Sequence, residues 1–472
     1  MQIELTPSPR SKPLGIFTLA MINVIAVDSL RSLPVGAEYG FSLVFYYLLA
    51  ALCFFIPTAL ISAELATAWP TTGGVYIWVR TAFGQRCGFL TIWLQWIYNV
   101  IWYPTILSFI AATMAYLINP DLAHHKFFML GIVLGTLWLV TGLNCLGLRV
   151  TSWFISLGAI IGTLIPMIVI TLLGIFWLHL GKPTEVQFTW SQLLPDFKNY
   201  NYGNLAFMTT IIFGLMGLEM SAVHAGDVRN PKRDYPRALL LSTTLILGTL
   251  IFASLAVAIV IPPAKLSVLS GLTDAYVLFF NNYNLTGWIP VIIALIIFGS
   301  CCGVSAWLLG PTRGLMIAAQ ESGIQSKWLQ VNKHNLPGRL LALQAIVVTL
   351  ISSVFVLMPS VSGAYWLLSA MTAQLAVLFY IFMFAAALRL HHKEGNTPRA
   401  FRIPGGKFGI WLCAILGIAS CGFTFAFGFI PPPGIEIGSV FKFEAILIGG
   451  IILFCLPPFF LYRWQNKRTY LF

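Results

Sequence analysis

Three ionisable residues lie inside stretches of the sequence that are otherwise apolar. Asp28 and Arg31 belong to the segment VDSLRSLP, which lies between the apolar runs GIFTLAMINVIA and FSLVFYYLLAALCFFIP, and Glu219 belongs to the segment FGLMGLEMS. Ionisable groups at the depth of a lipid bilayer are costly, and they usually line the path of a polar substrate or an ion. A carboxylate and a guanidinium three residues apart suit a zwitterion, because each offers the charge that one end of the zwitterion needs.

The composition indicates that these residues do lie in a membrane. Of 472 residues, 58% are hydrophobic and only 9% are charged, and the mean hydropathy is +0.86. A crossing of the bilayer takes about 20 apolar residues, and the sequence contains twelve windows of this kind. We therefore predict an all-α polytopic membrane protein with twelve transmembrane helices, at 14–36, 41–65, 88–118, 128–146, 152–180, 203–225, 236–262, 287–318, 339–358, 363–389, 409–430 and 441–463.

The basic residues predict the orientation of these helices. With the N-terminus inside, 21 of the 27 Lys and Arg residues lie on the cytoplasmic side, 5 lie outside, and the last is Arg31. The positive-inside rule thus places both termini in the cytoplasm and explains the net charge of +12, so we expect no nucleic-acid partner. No short apolar segment with a cleavage site precedes the first window, so we expect nothing to be removed. We expect the protein to lie in the bilayer of a cell membrane, the inner membrane of a bacterium, as a monomer or homodimer.

The first window is expected to contain a broken helix. On insertion scales a central Asp and a central Arg together cost about 5–7 kcal/mol, whereas the strong hydrophobes from Leu14 to Val27 return only about 2.4–4.8 kcal/mol. Pro34 lacks an N–H group and disfavours helical geometry at Leu33, so we place the break near 28–33. Irregular backbone at membrane depth is tolerated where it lines a cavity.

A second interruption is predicted in the sixth window, where Gly214 and Gly217 precede Glu219. Two broken segments five helices apart are typical of transporters with inverted repeats and a binding site at the midplane. The N-termini of half-helices can receive a carboxylate, and the opposing C-terminal ends can receive an ammonium group. The sequence has no phosphate-binding loop, no zinc-protease motif and no hydrolase nucleophile motif, so we expect no enzyme, no cofactor and no metal.

Five motifs, in order and spacing, resemble the amino acid–polyamine–organocation superfamily and in particular its glutamate/GABA antiporter branch. They are PTTGGVYIWVRTAFG after AELATA, GLE, VRNPKRDYPRAL, GPTRGL and FRIPGG. The resemblance covers nearly the whole chain and implies one transmembrane transporter domain over 1–472 with a five-plus-five inverted repeat of the leucine-transporter type. The first repeat would be 14–180, the second 203–389, and helices 11 and 12 would occupy 409–463.

The resemblance also implies which residues bind the substrate, between helices 1, 3, 6, 8 and 10. The implied substrate-binding residues are Val27, Asp28, Ser29, Leu30, Arg31, Asn99, Phe213, Gly214, Leu215, Met216, Gly217, Trp307 and Tyr380. Phe213 matches an aromatic gate, and Glu219 matches a glutamate that couples the gate to pH. Glu64, near the cytoplasmic end of helix 2, is expected to brace the gate rather than to bind substrate.

Several positions depart from the family pattern. The family's glycines in helix 1 are missing, so Arg31 is expected to hold the substrate carboxylate and Asp28 the α-ammonium group. Gly303 replaces the acidic residue four positions before Trp307, which argues against specificity for glutamate. Helix 5 has no lysine, and the nine residues after Arg463 are too few for a folded C-terminal plug.

The function predicted from the sequence is amino acid antiport by alternating access, with exchange of one amino acid for another or for a related amine. Three alternatives stay open: proton-coupled symport with Glu219 carrying the proton, a passive channel or membrane sensor, and a membrane-embedded enzyme. Two questions about the residues also stay open. Asp28 and Arg31 could pair with each other instead of with substrate, and Glu219 could merely brace the broken helix.

Overall fold

The computed structural model of the protein describes residues 14–70, 73–146, 152–195, 203–228, 230–323, 327–332, 336–395, 397–432 and 434–460. Within these ranges the chain forms helices and no β-strand, apart from one isolated bridge between Leu14 and Val228. Parts of the motifs and of the predicted charge pattern lie outside the described residues. These are Thr71, Thr72, Arg10, Lys12, Arg149, Lys198, Arg229, Lys333, Arg463, Lys467, Arg468 and the rest of the C-terminal tail.

In the described part of the chain, eleven helices are long and apolar enough to cross a membrane, and a bent pair of shorter helices makes a twelfth span. The spans, called helices 1 to 12 below, coincide with the twelve predicted windows and confirm the all-α fold. Their bounds are Ile16–Val27 with Leu33–Ala37 (helices 1a and 1b), Gly40–Ala68, Gln85–Ala115, Lys126–Cys145, Ser156–His179, Gly203–Gly214 with Leu218–Asp227 (6a and 6b), Pro231–Val260, Ile289–Glu321, Gly338–Ser352, Val361–Lys393, Gly406–Phe427 and Val440–Cys455. Shorter helices at Val75–Phe83 and Gly271–Asn282 lie between helices 2 and 3 and between helices 7 and 8.

Helix 1 is broken, as predicted, in the segment 28–33. Helix 1a ends at Val27, Asp28 has extended backbone (φ −75°, ψ 92°), and a single 3₁₀ turn precedes helix 1b, with a bend of 41° between the two halves. The prediction that Leu33 would not be helical was wrong, because Leu33 (φ −62°, ψ −45°) begins helix 1b. Pro34 lies in the first turn of that helix, where its missing N–H group is not needed.

Helix 6 is broken at Gly214, and its second half is a 3₁₀ helix that begins at Leu218. Gly217 has a φ of 119°, which residues other than glycine rarely adopt. A Cβ atom at Gly217 would lie 3.0 Å from the Trp307 ring and 3.1 Å from the carbonyl oxygen of Ala26. The two breaks therefore meet, with helix 8 closing over both.

Helices 3 and 10 form the centre of the molecule, and helix 12 lies at its edge. In the apolar 18-residue windows of helices 3 and 10, 89% and 72% of the residues are buried, against 17% for helix 12. The exposed apolar side chains of helix 12 suit contact with lipid. Helices 5 and 8 touch backbone to backbone, since a Cβ atom at Gly162 would lie 2.1 Å from the Cα of Gly299. The equivalent positions of the two breaks support the division into repeats at 14–180 and 203–389, which stays a prediction.

Candidate functional site

A small cavity lies where the two broken helices meet helices 3 and 8. Its volume is about 40 Å³, which is room for a few water molecules at roughly 10–15 Å³ each and far below the roughly 300 Å³ of small-molecule pockets. The cavity is lined by Ala26, Val27, Ser29, Arg31, Ser32, Tyr98, Asn99, Trp102, Phe213, Gly214, Met216 and Trp307. In this conformation the site is contracted, so a substrate enters only when the surrounding helices separate.

Arg31 is the charged side chain of this cavity. It is only 4% exposed, and its Nη1 donates hydrogen bonds to the hydroxyl groups of Tyr365 (2.9 Å) and Ser369 (3.5 Å) on helix 10. The guanidinium lies 5.6 Å from the ring centres of both Phe213 and Tyr365, whereas its Nε has no hydrogen-bond partner. No described acidic side chain forms an ion pair with Arg31.

Asp28 points away from this cavity. Its carboxyl group is buried against helix 7, where Oδ2 lies 2.8 Å from the hydroxyl of Thr249, and its Oδ1 has no hydrogen-bond partner. Asp28 and Arg31 thus contact different helices, and the structure shows no ion pair between these two described residues. The extended backbone at Asp28 and Ser29 turns the two side chains apart, which their spacing in a regular helix would not do.

Glu219 and Tyr380 form a hydrogen-bonded chain behind the break in helix 6. The backbone N–H of Gly217 donates to the Tyr380 hydroxyl (2.7 Å), which in turn donates to Oε2 of Glu219 (2.5 Å). All three groups are buried, and Oε1 of Glu219 has no partner. This hydrogen-bonded chain connects the unwound backbone of helix 6 to helix 10, so a substitution at Glu219 is expected to alter the hydrogen bond at Gly217.

Aromatic and amide groups complete the cavity wall. Trp307 donates from Nε1 to the carbonyl oxygen of Ala26 (3.3 Å) and lies 6.0 Å, centre to centre, from Trp102. Asn99 donates from Nδ2 to the carbonyl oxygen of Gln95 (2.7 Å) and is 2% exposed. Rings of this kind contact the apolar part of a bound molecule, and the few polar atoms orient it.

Two charged networks hold helix ends together on the side that the sequence predicts to be cytoplasmic. Glu64 accepts from Arg399 (2.5 Å) and from the backbone N–H of Ile403 (2.9 Å), and both charged side chains are about 3% exposed. Glu321, at the end of helix 8, accepts hydrogen bonds from Tyr76 and Arg80. The first network joins helix 2 to the segment between helices 10 and 11, and the role of Glu64 in bracing a gate stays a prediction.

The structure brings eight of the predicted substrate residues to the cavity and leaves five outside it. Those at the cavity are Val27, Ser29, Arg31, Asn99, Phe213, Gly214, Met216 and Trp307, and those outside are Asp28, Leu30, Leu215, Gly217 and Tyr380. Contact with substrate stays a prediction for the eight. For Asp28, Gly217 and Tyr380, polar groups are already directed toward other protein atoms.

Sequence reasoning missed several residues of the site. Ala26, Ser32, Tyr98 and Trp102 line the cavity, Tyr365 and Ser369 hold Arg31, and Thr249 contacts Asp28. One signal was available, because Tyr365 and Ser369 are four residues apart and therefore share one face of helix 10. Among the described residues no cluster of His, Cys, Asp and Glu could hold a metal ion.

Comparison with known proteins shows that the chain is similar to transporters. A family model described as amino acid permease matches residues 14–452. An uncharacterized transporter of Legionella pneumophila is 53% identical over 97% of this chain and 98% of its own length. A glutamate/gamma-aminobutyrate antiporter of Lactococcus lactis is 30% identical, covering 97% of this chain and 92% of its own. A probable agmatine/putrescine antiporter of Lactococcus lactis is 28% identical, covering 82% and 81%.

These similarities decide the class of the protein. The described helices and the matched family make the chain a multi-pass membrane protein that transports small molecules and is not an enzyme. The family match covers most of the chain, including both broken helices and the cavity between them. The chain belongs to the amino acid permease family.

Proposed function

We propose that the protein is an antiporter that exchanges one amino acid for another, or for a related amine, by alternating access. The observation that carries this proposal is Arg31, a buried guanidinium at the meeting point of two broken helices with no anionic partner among the described residues. A buried charge without an opposite charge is unfavourable. A substrate carboxylate supplies the missing anion.

The neighbours of Arg31 suit this role. Its Nη1 is held by Tyr365 and Ser369, so the guanidinium is oriented before substrate arrives, and Nε remains available as a donor. Guanidinium groups bind carboxylates through paired N–H donors. The carboxylate is therefore expected to lie between Arg31 and Ser29, with Phe213 above the guanidinium.

The ammonium end of the substrate needs a different partner from the one predicted. Asp28 lies against Thr249 on helix 7 and is not at the cavity. Asn99 commits its Nδ2 to Gln95, which leaves its carbonyl oxygen as the acceptor on this side of the cavity. We assign the ammonium group to that oxygen and to the carbonyl ends of helix 1a, which carry partial negative charge.

Alternating access requires the networks on the cytoplasmic side to open. The Glu64–Arg399 pair is buried, whereas Arg80 and Glu321 keep 34% and 38% of their side chains exposed. Exposed pairs are weak, at about 0–1 kcal/mol, so the contact between helix 8 and the segment after helix 2 is expected to open first. The buried pair would move as one unit with the segment between helices 10 and 11.

Exchange, rather than net uptake, is supported by the relatives that are described as antiporters. We place both termini in the cytoplasm because most Lys and Arg residues then lie inside. The bacterial relatives support the bacterial cytoplasmic membrane as the location. The lipid bilayer is thus the surrounding medium, and the proposed unit is a monomer or homodimer.

The test is counterflow in proteoliposomes loaded with unlabelled amino acids, with labelled amino acids outside. Uptake should saturate and should require internal substrate, and a conductance that does not saturate would refute a carrier. Arg31→Gln removes the charge and keeps similar bulk. Losing a buried charged partner costs about 2–5 kcal/mol, which is a roughly 30-fold to 4,000-fold loss of affinity for every substrate that has a carboxylate.

The matched control is Arg389→Gln, which removes an exposed arginine of helix 10 that lies over the ring of Phe83, away from the cavity. This variant should keep the affinity of the wild-type protein. Amines without a carboxylate should bind wild type and Arg31→Gln equally. Unchanged amino acid affinity in a folded Arg31→Gln variant would refute the assignment of the carboxylate to Arg31.

A further inference from the structure

We infer that the Asp28 carboxyl group binds a transported proton at a site between helices 1, 2 and 7 that is separate from the substrate cavity. This inference rests on the proposed transport function, and it differs from the symport alternative drawn from the sequence, in which Glu219 carries the proton. Three observations support it: the isolation of Asp28 from cations, the number of hydrogens available to it, and the polar groups around it.

Asp28 is isolated from positive charge. Its carboxyl group is 3% exposed, and no described Lys, Arg or His forms an ion pair with it. Arg31, three residues away, is directed to Tyr365 on helix 10. An ionised carboxylate in this environment would lack both solvation and a counter-charge, so the neutral acid is strongly favoured.

The hydrogen bonds around Thr249 require the same conclusion. Its single hydroxyl hydrogen faces three oxygen atoms: Oδ2 of Asp28 at 2.8 Å, the carbonyl of Leu245 at 2.7 Å and the carbonyl of Ile246 at 3.1 Å. A hydroxyl group donates one hydrogen and accepts two. If Asp28 is protonated, it donates to Thr249, and Thr249 donates to Leu245, so that each of the two shortest contacts contains a hydrogen.

The contacts of Glu219 differ from those of Asp28. Oε2 of Glu219 accepts the Tyr380 hydroxyl hydrogen, and the Tyr380 oxygen accepts the Gly217 N–H, so both of these contacts contain a hydrogen without a proton on Glu219, although its Oε1 has no partner. The two buried acids of the broken helices therefore differ in their hydrogen-bond donors. Asp28 has to supply a hydrogen, and Glu219 receives one.

The surroundings of Asp28 offer polar groups to a proton that enters or leaves. Helix 2 contributes Tyr47, which is close enough to Asp28 for an electrostatic interaction, and helix 7 contributes Thr249 and Ser254. A Cβ atom at Gly36 would lie 2.8 Å from both the Tyr47 hydroxyl and the Ser254 hydroxyl, so both hydroxyl groups lie beside the backbone of helix 1b.

Among the residues whose side chains the structure describes, the other elements packed on helix 1 place no cation in an ion pair with Asp28. Helix 6b contributes Glu219, which binds Tyr380, and helix 8 contributes Cys302, which faces helix 5. The proton step is a simple dissociation, in which the acid becomes a carboxylate and one proton leaves. The carboxylate then needs water or a cation, so loss of the proton favours opening of the break in helix 1.

The experiment combines infrared spectroscopy with transport on the full-length protein in lipid. In the wild type, the carbonyl stretch of a protonated carboxylic acid should be present at neutral pH and should be lost from the spectrum of Asp28→Asn. Asp121→Asn is the matched control, because Asp121 is an exposed carboxylate on an external loop and its removal should leave the band unchanged. Thr249→Val retains Asp28 and removes its hydrogen-bond partner, so the same band should shift even if Asp28→Asn does not fold.

The transport measurement records proton entry with a dye trapped in the liposomes. When an external amino acid enters with the proton in exchange for an internal amine that leaves without it, the interior of wild-type liposomes should acidify, and Asp28→Asn should lose this acidification. An Asp28 that gives no acid band, or transport that requires sodium instead of protons, would overturn the inference. If wild-type liposomes move no amino acid while the Asp28 band is present, the proposed substrate class fails and the proton site stands.

Discussion

Tyr380→Phe tests whether the break in helix 6 is controlled by a hydroxyl group on helix 10. The substitution removes one oxygen and keeps the ring, which is fully buried against Phe54 and Phe379. That oxygen accepts from the N–H of Gly217 at 2.7 Å and donates to Glu219 at 2.5 Å. Its loss therefore leaves two buried polar groups without their partner.

The size of the effect follows from these two groups. A buried polar group that loses its hydrogen bond costs about 1–3 kcal/mol, and a charged group costs more. Tyr380→Phe should therefore lower the free energy of unfolding by roughly 2–6 kcal/mol. In a Glu219→Gln background the side chain that accepts from Tyr380 carries no charge. Loss of the Tyr380 hydroxyl then mainly affects the N–H of Gly217, so the same substitution should lower the free energy of unfolding by roughly 1–3 kcal/mol.

The assay is equilibrium unfolding in mixed micelles for the wild type, both single variants and the double variant. The difference between the two backgrounds is the coupling energy, which for residues in one hydrogen-bond network is about 0.5–3 kcal/mol. The control is Tyr103→Phe, since Tyr103 is equally buried and its hydroxyl is not part of the chain from Gly217 to Glu219. This control should change stability by less than about 1 kcal/mol.

Two results would contradict this reasoning. Additive effects of Tyr380→Phe and Glu219→Gln would show that the two side chains do not act as one network. An equal loss of stability in Tyr103→Phe would show that the cost comes from the core of helices 3 and 10 in general. Either result would leave the break in helix 6 without its proposed connection to helix 10.

Three further predictions follow from single positions. Gly217→Ala should reduce counterflow at least tenfold. Its φ of 119° costs a residue with a side chain about 1–2 kcal/mol, and the new Cβ would press on the Trp307 ring of helix 8. The control is Gly287→Ala, where a Cβ meets nothing within 4 Å, and equal activity of the two variants would refute the strain at Gly217. Glu64→Gln should leave the buried Arg399 without its carboxylate and lower the free energy of unfolding by about 3–5 kcal/mol. Hydrogen–deuterium exchange should then rise in 397–405, and unchanged exchange there would contradict the bracing role of Glu64. Burial raises the pKa of Glu38 from 4.5 to about 7, so the folded state holds this proton longer than the unfolded state, and stability should fall as the pH rises from about 4.5 to 7. Thermal unfolding should show a smaller fall in Glu38→Gln, and equal pH profiles would contradict the shift.

Much of the fold follows from the sequence because a bilayer leaves few choices. Backbone groups in hydrocarbon must bond within their own segment, so an apolar window of sufficient length is a helix. The break in helix 1 was also predictable, since the free energy of inserting two charges exceeds the free energy gained from the surrounding apolar side chains. Pro34 misled the prediction only in detail, because a proline in the first turn of helix 1b is compatible with a helical Leu33.

The site was harder to predict because side-chain direction depends on backbone that the sequence does not specify. Asp28 and Arg31 share a helix face only if the intervening residues are helical, and extended backbone at Asp28 removes that relation. Their real partners, Thr249 and Tyr365, lie 221 and 334 residues along the chain. The family resemblance located the meeting point of the broken helices, but it could not assign partners to charges that the family pattern lacks.

The separation of these two charges leads to a final prediction about the double variant Asp28→Arg with Arg31→Asp. If the two side chains paired with each other, exchanging them would restore the pair and much of the substrate affinity. They do not pair, since one contacts Thr249 and the other contacts Tyr365 and Ser369. The exchange puts an arginine beside Thr249 and a carboxylate beneath the ring of Phe213, where each is unpaired.

The double variant should therefore bind amino acids no better than the worse single variant. The control is the same exchange at Arg80 and Glu321, which do form an ion pair, and there the double variant should recover part of the loss seen in each single variant. Binding is measured by thermal shift with amino acids, and folding by size-exclusion chromatography. Recovery of affinity to within about tenfold of wild type, or 1.4 kcal/mol, would mean that Asp28 and Arg31 act on each other, and it would remove the unpaired cation on which the carboxylate assignment depends.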